Sequence, residues 1–318
     1  MAEPHVFSIP MPMTFRGIRR RTGMLIRGES GWAEWSPFPE YPIPEAAQWL
    51  LAAHEAADHG FPEPLRTLIP VNATIPAVDP RLAHRLAVSS GCTTAKIKVA
   101  EPGQTLDEDY ARVEAVRVAL GPMGKIRVDA NGGWSLREAI TALTRLSVFD
   151  LEYAEQPCAS VEELAELRRS VGVKIAADES IRKASDPYRV ATLEAADLIV
   201  LKVQPLGGIQ ACLTLAQDLG MDVVVSSALE TSIGLSAGLA LAAALPRLPY
   251  ACGLNTSALL GSDVVREPLV AVNGAIQIRE MNVDPGFCEQ YSADDDTRQF
   301  WTTRLQQCQE FLDGKEDW

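Results

Sequence analysis

From about residue 70 the chain repeats one pattern: a short apolar run, a loop of polar or small residues, then a segment with apolar positions spaced for one helix face. The apolar runs read LIPVNATI, TAKIKVA, KIRVDA, LEYAEQP, KIAADES, DLIVLKV, DVVVSSA and YACGLNT. Between them lie helix segments such as LDEDYARVEAVRVAL, SLREAITALTRL, SVEELAELRRSV and IQACLTLAQDLG, the last ending at Gly220, well placed for a C-cap. Runs that are apolar at nearly every position predict strands buried on both faces, as in a parallel sheet covered by helices. Eight such runs over residues 70–256 predict an α/β fold of the TIM-barrel type. An open doubly wound sheet would be expected to carry a glycine-rich phosphate turn after its first strand, and VNATIPAVDP has none.

The flanking segments follow another rhythm. Residues 1–69 begin with HVFSIPMPM, GMLIRGE and GWAEWSPF, which predict short antiparallel strands turning at Gly17 and at Glu29-Ser30-Gly31. The proline-rich SPFPEYPIP then leads into a helix, EAAQWLLAAHEAADHG, making an α+β unit outside the barrel. Residues 257–318 contain LVAVNGAIQI, a hairpin pattern with Asn273-Gly274 at the turn, and DDDTRQFWTTRLQQCQEFLDG, a surface helix. This last segment is expected to complete the cap.

Composition narrows the function. The net charge of the 318 residues is −13, and the only basic run, Arg19-Arg20-Arg21, is short and isolated; neither nucleic acid nor an anionic membrane is an expected partner. The six cysteines form no C-x-x-C pair, so no zinc site is expected and the thiols suit a reducing interior. No secretory leader precedes the first strand, and the apolar stretch Ser226–Leu245 is broken by Glu230, so the expectation is a cytoplasmic protein.

Charged side chains interrupt the apolar runs at consistent places. Lys96 and Lys98, then Asp129, Glu155, Asp178 and Lys202, stand at or just past the ends of five successive strands. In a barrel all the carboxyl ends open on one face, where catalytic groups gather. Lys96 and Lys98 are two apart and share a face. Three carboxylates from adjacent strands offer hard oxygen ligands suited to Mg²⁺, and without a cation they would resist joint ionisation. Lysines across the same mouth then supply acid and base for removing a proton next to a carboxylate. Taken singly, a K-x-K pair is a solvated edge and a strand-end carboxylate is a helix cap; six in register are not explained that way.

Other chemistries fare worse. His5, His54, His59 and His84 all precede the charged strand ends, and no G-x-S-x-G elbow is present. Ser226 and Ser227 are candidates for contacting substrate or for capping the next helix. Gly207 and Gly208 before a helix suit a tight turn better than a phosphate site. Phe15–Arg21 is expected to form a loop over the mouth, with Arg19, Arg20 and Arg21 as a solvated basic turn or, for one of them, a carboxylate contact.

The motifs KIKV, VDANGGW, EQP, ADES and LKVQPLGGI, with GWAEWSPFPEY and NGAIQI at the two ends, resemble the muconate-lactonizing subgroup of the enolase superfamily over nearly the whole chain. The likeness departs near Pro285, where a glycine-rich motif is replaced by VDPGFC. The resemblance implies a modified TIM barrel, (β/α)7β, with an α+β capping domain. It implies Lys98 as the acid/base lysine with Lys96 its partner, Lys202 on the opposite face, Asp129, Glu155 and Asp178 as Mg²⁺ ligands, and Asn131 lining the site. A lysine base with Mg²⁺ is a known device of this superfamily.

Within the subgroup, the overall likeness implies syn-dehydration of a succinyl-hydroxycyclohexadiene carboxylate, a step in menaquinone biosynthesis. Racemisation of N-succinyl amino acids is the alternative, alone or as a second activity. Cycloisomerisation of muconate ranks lower, as does dipeptide epimerisation, because CGLNTS after the eighth strand lacks an acidic pair to hold an ammonium.

Overall fold

The computed structural model describes residues 4–183 and 186–316. The chain opens with an antiparallel sheet, β1 (His5–Phe15), β2 (Ile18–Arg27) and β3 (Trp32–Trp35), in that spatial order. The turn between β1 and β2 is Arg16–Gly17, with φ of 51° and 75°. Two successive positive φ values are what a two-residue hairpin needs to match strand twist. Phe15–Arg21 is therefore a hairpin end and not a loop. Helix α1 (Ile43–His54) starts with proline in its first turn, where a missing N–H costs nothing. It continues as one π turn over Glu55–His59 and stops at Gly60.

The apolar run 68–75 is two strands, not one. Its first half, β4 (Leu68–Pro70), pairs antiparallel with a late strand; its second half, β5 (Ala73–Ile75), begins the barrel. Alternating elements follow: α2 (Pro80–Ser89), β6 (Thr94–Lys98), α3 (Leu106–Leu120), β7 (Lys125–Asp129), α4 (Leu136–Leu146), β8 (Leu151–Glu155), α5 (Val161–Ser170) and β9 (Ile175–Ala177). Next come α6 (Glu179–Arg182), α7 (Arg189–Thr192), β10 (Leu198–Leu201), α8 (Val203–Leu206), α9 (Ile209–Leu219), β11 (Asp222–Val225) and α10 (Ser232–Ala244). Strands β5 to β11 form one parallel sheet in chain order.

The expected eighth strand is reduced to two residues. Cys252 bridges Val71 and Gly253 bridges Ser226, both in parallel sense. Cys252 N donates to Pro70 O at 2.7 Å and Gly253 N to Val225 O at 2.8 Å, so these bonds close the sheet into a barrel. Helices α3, α4 and α5 each begin with a capping box, Thr105 with Glu108, Ser135 with Glu138 and Ser160 with Glu163. Each cap satisfies end N–H groups and contributes about 1 kcal/mol, which fixes where the helix leaves its loop.

After the barrel, Asn273 and Gly274 (φ 50° and 75°) make the expected tight turn. The strand that follows, β12 (Ala275–Gln277), meets the segment before the turn at the antiparallel Val272–Ala275 bridge and takes β4 as its ladder partner. Helix α11 (Pro285–Gln290) is N-capped by Asp284. The long α12 (Asp295–Glu316) is a surface helix on one side only. Its Trp301 and Cys308 are fully buried, and Trp301 meets Trp35 of β3 edge-on at 5.2 Å. The terminal segment thus packs on the N-terminal sheet and α1. All six cysteines are buried and free. No helix among the described residues is long and apolar enough to cross a membrane.

Candidate active site

Parallel strands place their carboxyl ends at one rim, where Lys96, Lys98, Asp129 and Lys202 line a cavity of about 590 Å³ between barrel and cap, and Glu155 and Asp178 lie buried against Lys96 and Lys202. The register aligns Lys98 of β6 with Asp129 of β7, and Asp129 with Glu155 of β8. Asp178 follows β9 and Lys202 follows β10. Asp129, Glu155 and Asp178 are all at most 1% exposed. Lys96 donates to both oxygens of Glu155, at 2.6 and 2.7 Å, and lies 3.4 Å from Asp129. Lys98 reaches Asp129 at 2.6 Å and also donates to Asn131 Oδ1. Lys202 reaches Asp178 at 2.6 Å.

The electrostatics follow from burial and pairing. Burial alone would raise the Asp129 pKa, but the Lys98 and Lys96 ammonium groups outweigh it and hold that carboxyl below its ordinary range. At Asp178, burial is likewise overcome by Arg182 and Lys202. Glu155 goes the other way: burial and the nearby Asp129 carboxylate push it up to about 7, against the pull of Lys96. Lys96 loses stability as a cation through burial, yet Glu155 and Asp129 more than restore it, so its pKa rises.

Sequence reasoning missed several members of this layer. Glu179 and Arg182, on the short helix α6, belong to it. Arg182 donates to Asp178 at 3.0 Å, to Glu179 at 2.6 Å and to the Tyr41 hydroxyl of the cap at 3.3 Å. Asn131 Nδ2 donates to Glu179 at 3.1 Å. Gln156 is buried and its Oε1 accepts from the backbone N–H groups of Asp178 and Ser180, tying the β8 and β9 ends together. The Glu179 and Gln156 letters sit inside ADES and EQP, beside ligand candidates; that adjacency was the available signal.

The donors on offer to Mg²⁺ are Asp129, Glu155 and Asp178. Among the described residues, no three Asp, Glu, His or Cys groups are drawn together tightly enough to hold an ion as they stand, because each carboxylate is closed onto a lysine. The donor chemistry fits: three hard carboxylates come from adjacent strands, all buried, one with its pKa raised by burial and by the Asp129 carboxylate. The acids Asp129, Glu155, Asp178 and Glu179 are matched one for one by Lys96, Lys98, Lys202 and Arg182.

The remaining candidates resolve individually. Ser226 and Ser227 line the cavity; Ser226 Oγ donates to Gly253 O at 3.4 Å and Ser227 Oγ meets Thr256 Oγ1 at 2.5 Å. Neither caps α10, whose cap is Thr231. Gly207 and Gly208 form a turn, and the N-terminus of α9 is already taken: Glu55 Oε1 accepts from Ile209 N and Gln210 N at 2.8 and 3.1 Å. A Cβ on Gly208 would come within 1.9 Å of that carboxylate. Among the described residues no histidine lines the cavity.

Arg21 is not a solvated turn residue. It is 1% exposed and donates to Leu229 O at 2.9 Å, to Ala228 O at 3.3 Å and to Ser36 Oγ at 2.8 Å. Arg20 donates to Ser8 Oγ at 2.9 Å, while Arg19 is exposed. Beside Arg21, Glu34 accepts from Thr231 N at 2.9 Å and Gly234 N at 3.2 Å, so a cap residue holds the first turn of a barrel helix. The loop between them, where Leu229 has φ 69°, walls the cavity.

This arrangement — a closed parallel barrel, charged groups at successive strand ends and an α+β cap over them — defines the class of protein. The enolase C-terminal domain-like family matches residues 80–294 and the enolase N-terminal domain-like family matches residues 6–57. The chain belongs to the enolase superfamily. Among its relatives, o-succinylbenzoate synthase from Thermobifida fusca is 59% identical over 87% of this chain and 87% of its own. That from Mycobacterium marinum is 51% identical over 97% of this chain and 94% of its own. In three dimensions the chain resembles muconate lactonizing enzyme from Pseudomonas fluorescens, with a TM-score of 0.79 at 20% identity over 92% of this chain and 98% of that one. At that identity the likeness carries the fold alone.

Proposed function

We propose that this chain is a hydro-lyase catalysing Mg²⁺-dependent syn-dehydration of 2-succinyl-6-hydroxy-2,4-cyclohexadiene-1-carboxylate to 2-succinylbenzoate, the o-succinylbenzoate synthase reaction of menaquinone biosynthesis. The observation that carries it is the identity of about half or more of the residues with such synthases over most of both chains. The strand-end layer suits the chemistry. Lys98 takes the proton from the carbon bearing the ring carboxylate, and the C–H electron pair moves into an enediolate. The Lys202 ammonium stays protonated and stabilises the added charge. The C–OH bond then breaks, Lys98 returns its proton to the departing hydroxyl, and water leaves from the same face. The ring becomes aromatic.

Asp129, Glu155 and Asp178 would hold Mg²⁺, whose charge, when bound, supports the ring carboxylate as it becomes doubly negative. The layer is charge-balanced without ligands. A dication and a dicarboxylate substrate together add no net charge, which favours their joint uptake into a buried site. Lys96, held by Glu155, and Asn131, beside Lys98, line the substrate side with Ser226 and Ser227. We divide the chain into a cap, residues 1–69, a barrel, 70–256, and a segment completing the cap, 257–318; the packing of α12 on β3 supports that division.

The test is direct: wild-type protein, the cyclohexadiene substrate and Mg²⁺, followed by the absorbance of the aromatic product. Turnover that stops with a chelator and returns with Mg²⁺ is expected; no turnover under any divalent cation overturns the proposal. A second reading has one observation in its favour. Lys98 ends the second strand of the barrel, Lys202 follows the sixth, and both line the cavity, which supports opposed positions across the mouth. Two opposed amines suit racemisation of N-succinyl amino acids. Incubation in D₂O decides it: absence of α-carbon exchange, or exchange without racemisation, removes that reading.

A further inference from the structure

The proposed substrate carries two carboxylates, and the strand-end layer accounts for only the one on the ring. Six cationic side chains line the cavity among the described residues: Arg16, Lys96, Lys98, Arg182, Lys183 and Lys202. Four are bonded to the inner acids at 3.0 Å or less. The other two are not. Among the described residues, the carboxylate within reach of Arg16 is Glu40, at 3.4 Å, and that within reach of Lys183 is Glu45, at 3.9 Å. Both lie against one aromatic ring, Tyr41: the Arg16 guanidinium is 5.4 Å and the Lys183 ammonium 4.5 Å from its centroid.

Arg16 is also pre-positioned. It sits at the tip of the cap hairpin with φ 51°, and its guanidinium stacks on Phe38 at 4.1 Å. The residue before it, Phe15, has its ring 5.9 Å from Lys98 Nζ, so the hairpin tip stands directly over the base. An apolar wall with two weakly engaged cations beyond it matches a substrate with a ring at one end and an anionic arm at the other.

We propose that Arg16 and Lys183, grouped around Tyr41, form a second anionic subsite that binds the terminal carboxylate of the succinyl arm. Arg16 gives the planar, two-pronged contact and Lys183 a point charge. The inference rests on the functional reading above and adds to it the determinant of arm specificity. It explains why a cation stands at a turn position where an asparagine or glycine would meet the backbone demand at less strain.

The experiment uses calorimetry with Mg²⁺ present and two ligands: 2-succinylbenzoate, and 2-butyrylbenzoate, in which a methyl replaces the terminal carboxylate. Arg16→Met should weaken 2-succinylbenzoate by about 10- to 100-fold, the range for losing a charged hydrogen bond. Lys183→Met should weaken it by less. Both variants should bind 2-butyrylbenzoate as the wild type does, which also shows that the inner site is intact. In turnover, Arg16→Met should raise KM with kcat little changed. Equal weakening of both ligands, or of neither, overturns the subsite. If the wild type dehydrates the substrate while the variants discriminate nothing, only the subsite falls; a wild type without dehydration removes the functional reading and the subsite together.

Discussion

The two ends of the cavity are built differently. At the inner end the charged groups are buried or, at Lys98 and Glu179, partly buried, bonded at short range to an opposite charge and mounted on barrel strands or on the short helix after β9. At the outer end Arg16 and Lys183 are more than a third exposed, their ion pairs are long, and Arg16 rides on a hairpin turn. Rigid strand ends suit chemistry, which tolerates little displacement. A hairpin suits selection among arms, because it changes without disturbing the barrel. A separate latch, Arg21 with Glu34, fastens the cap to the loop before α10 and to its first turn.

If the inner end carries the chemistry, Lys202→Ala should lower kcat by about 10²- to 10³-fold, as for the loss of one group stabilising a developing oxyanion, with an unchanged far-ultraviolet spectrum. A variant retaining most of its kcat would place the chemistry elsewhere. At the outer end, Arg16→Met should act through KM alone, so a comparable kcat loss there would erase the contrast.

The latch should show in stability. Glu34→Ala leaves the buried N–H groups of Thr231 and Gly234 without their acceptor and should cost about 2 kcal/mol in a denaturant titration. Burial raises the Glu34 pKa to about 7 from 4.5, with Arg21 pulling against it. Between those values the folded protein holds a proton that the unfolded chain has released, so this group makes stability fall as pH rises through about 4.5 to 7. Glu34→Gln keeps the acceptor for Thr231 and Gly234 but cannot titrate. It should flatten that part of the pH–stability curve, and an unaltered slope would count against a protonated Glu34. The smallest effect is expected at Glu55, where Ala removes the cap of α9 and should cost about 1 kcal/mol without changing KM.

The inner layer was legible because strand ends are marked in the chain. Lys96, Lys98, Asp129, Glu155, Asp178 and Lys202 interrupt apolar runs whose spacing already places them on one rim. Much of the rest depends on contacts between distant positions. Arg21 reads as the end of a basic run, and only its bond to Leu229, 208 residues away, makes it a latch. Glu34 meets Thr231 across 197 positions and Glu55 meets Ile209 across 154. The division of residues 68–75 into β4 and β5 was hidden for a related reason. An apolar run specifies burial but not which strand completes its ladder, and β12 comes some two hundred residues later. YACGLNT is mostly apolar and so predicts a full eighth strand; the structure uses only Cys252 and Gly253 of it to close the barrel.

The account depends most on Lys98 being the group that takes the proton. Its most direct test is the single-turnover rate of Lys98→Ala against wild type, with saturating Mg²⁺ and with substrate bearing hydrogen or deuterium at the carbon next to the ring carboxylate. The account predicts a primary isotope effect in the wild type and a rate in the variant lower by about 10²- to 10⁴-fold, the span for removing a general base. A variant that dehydrates at the wild-type rate, with the isotope effect intact, would contradict it.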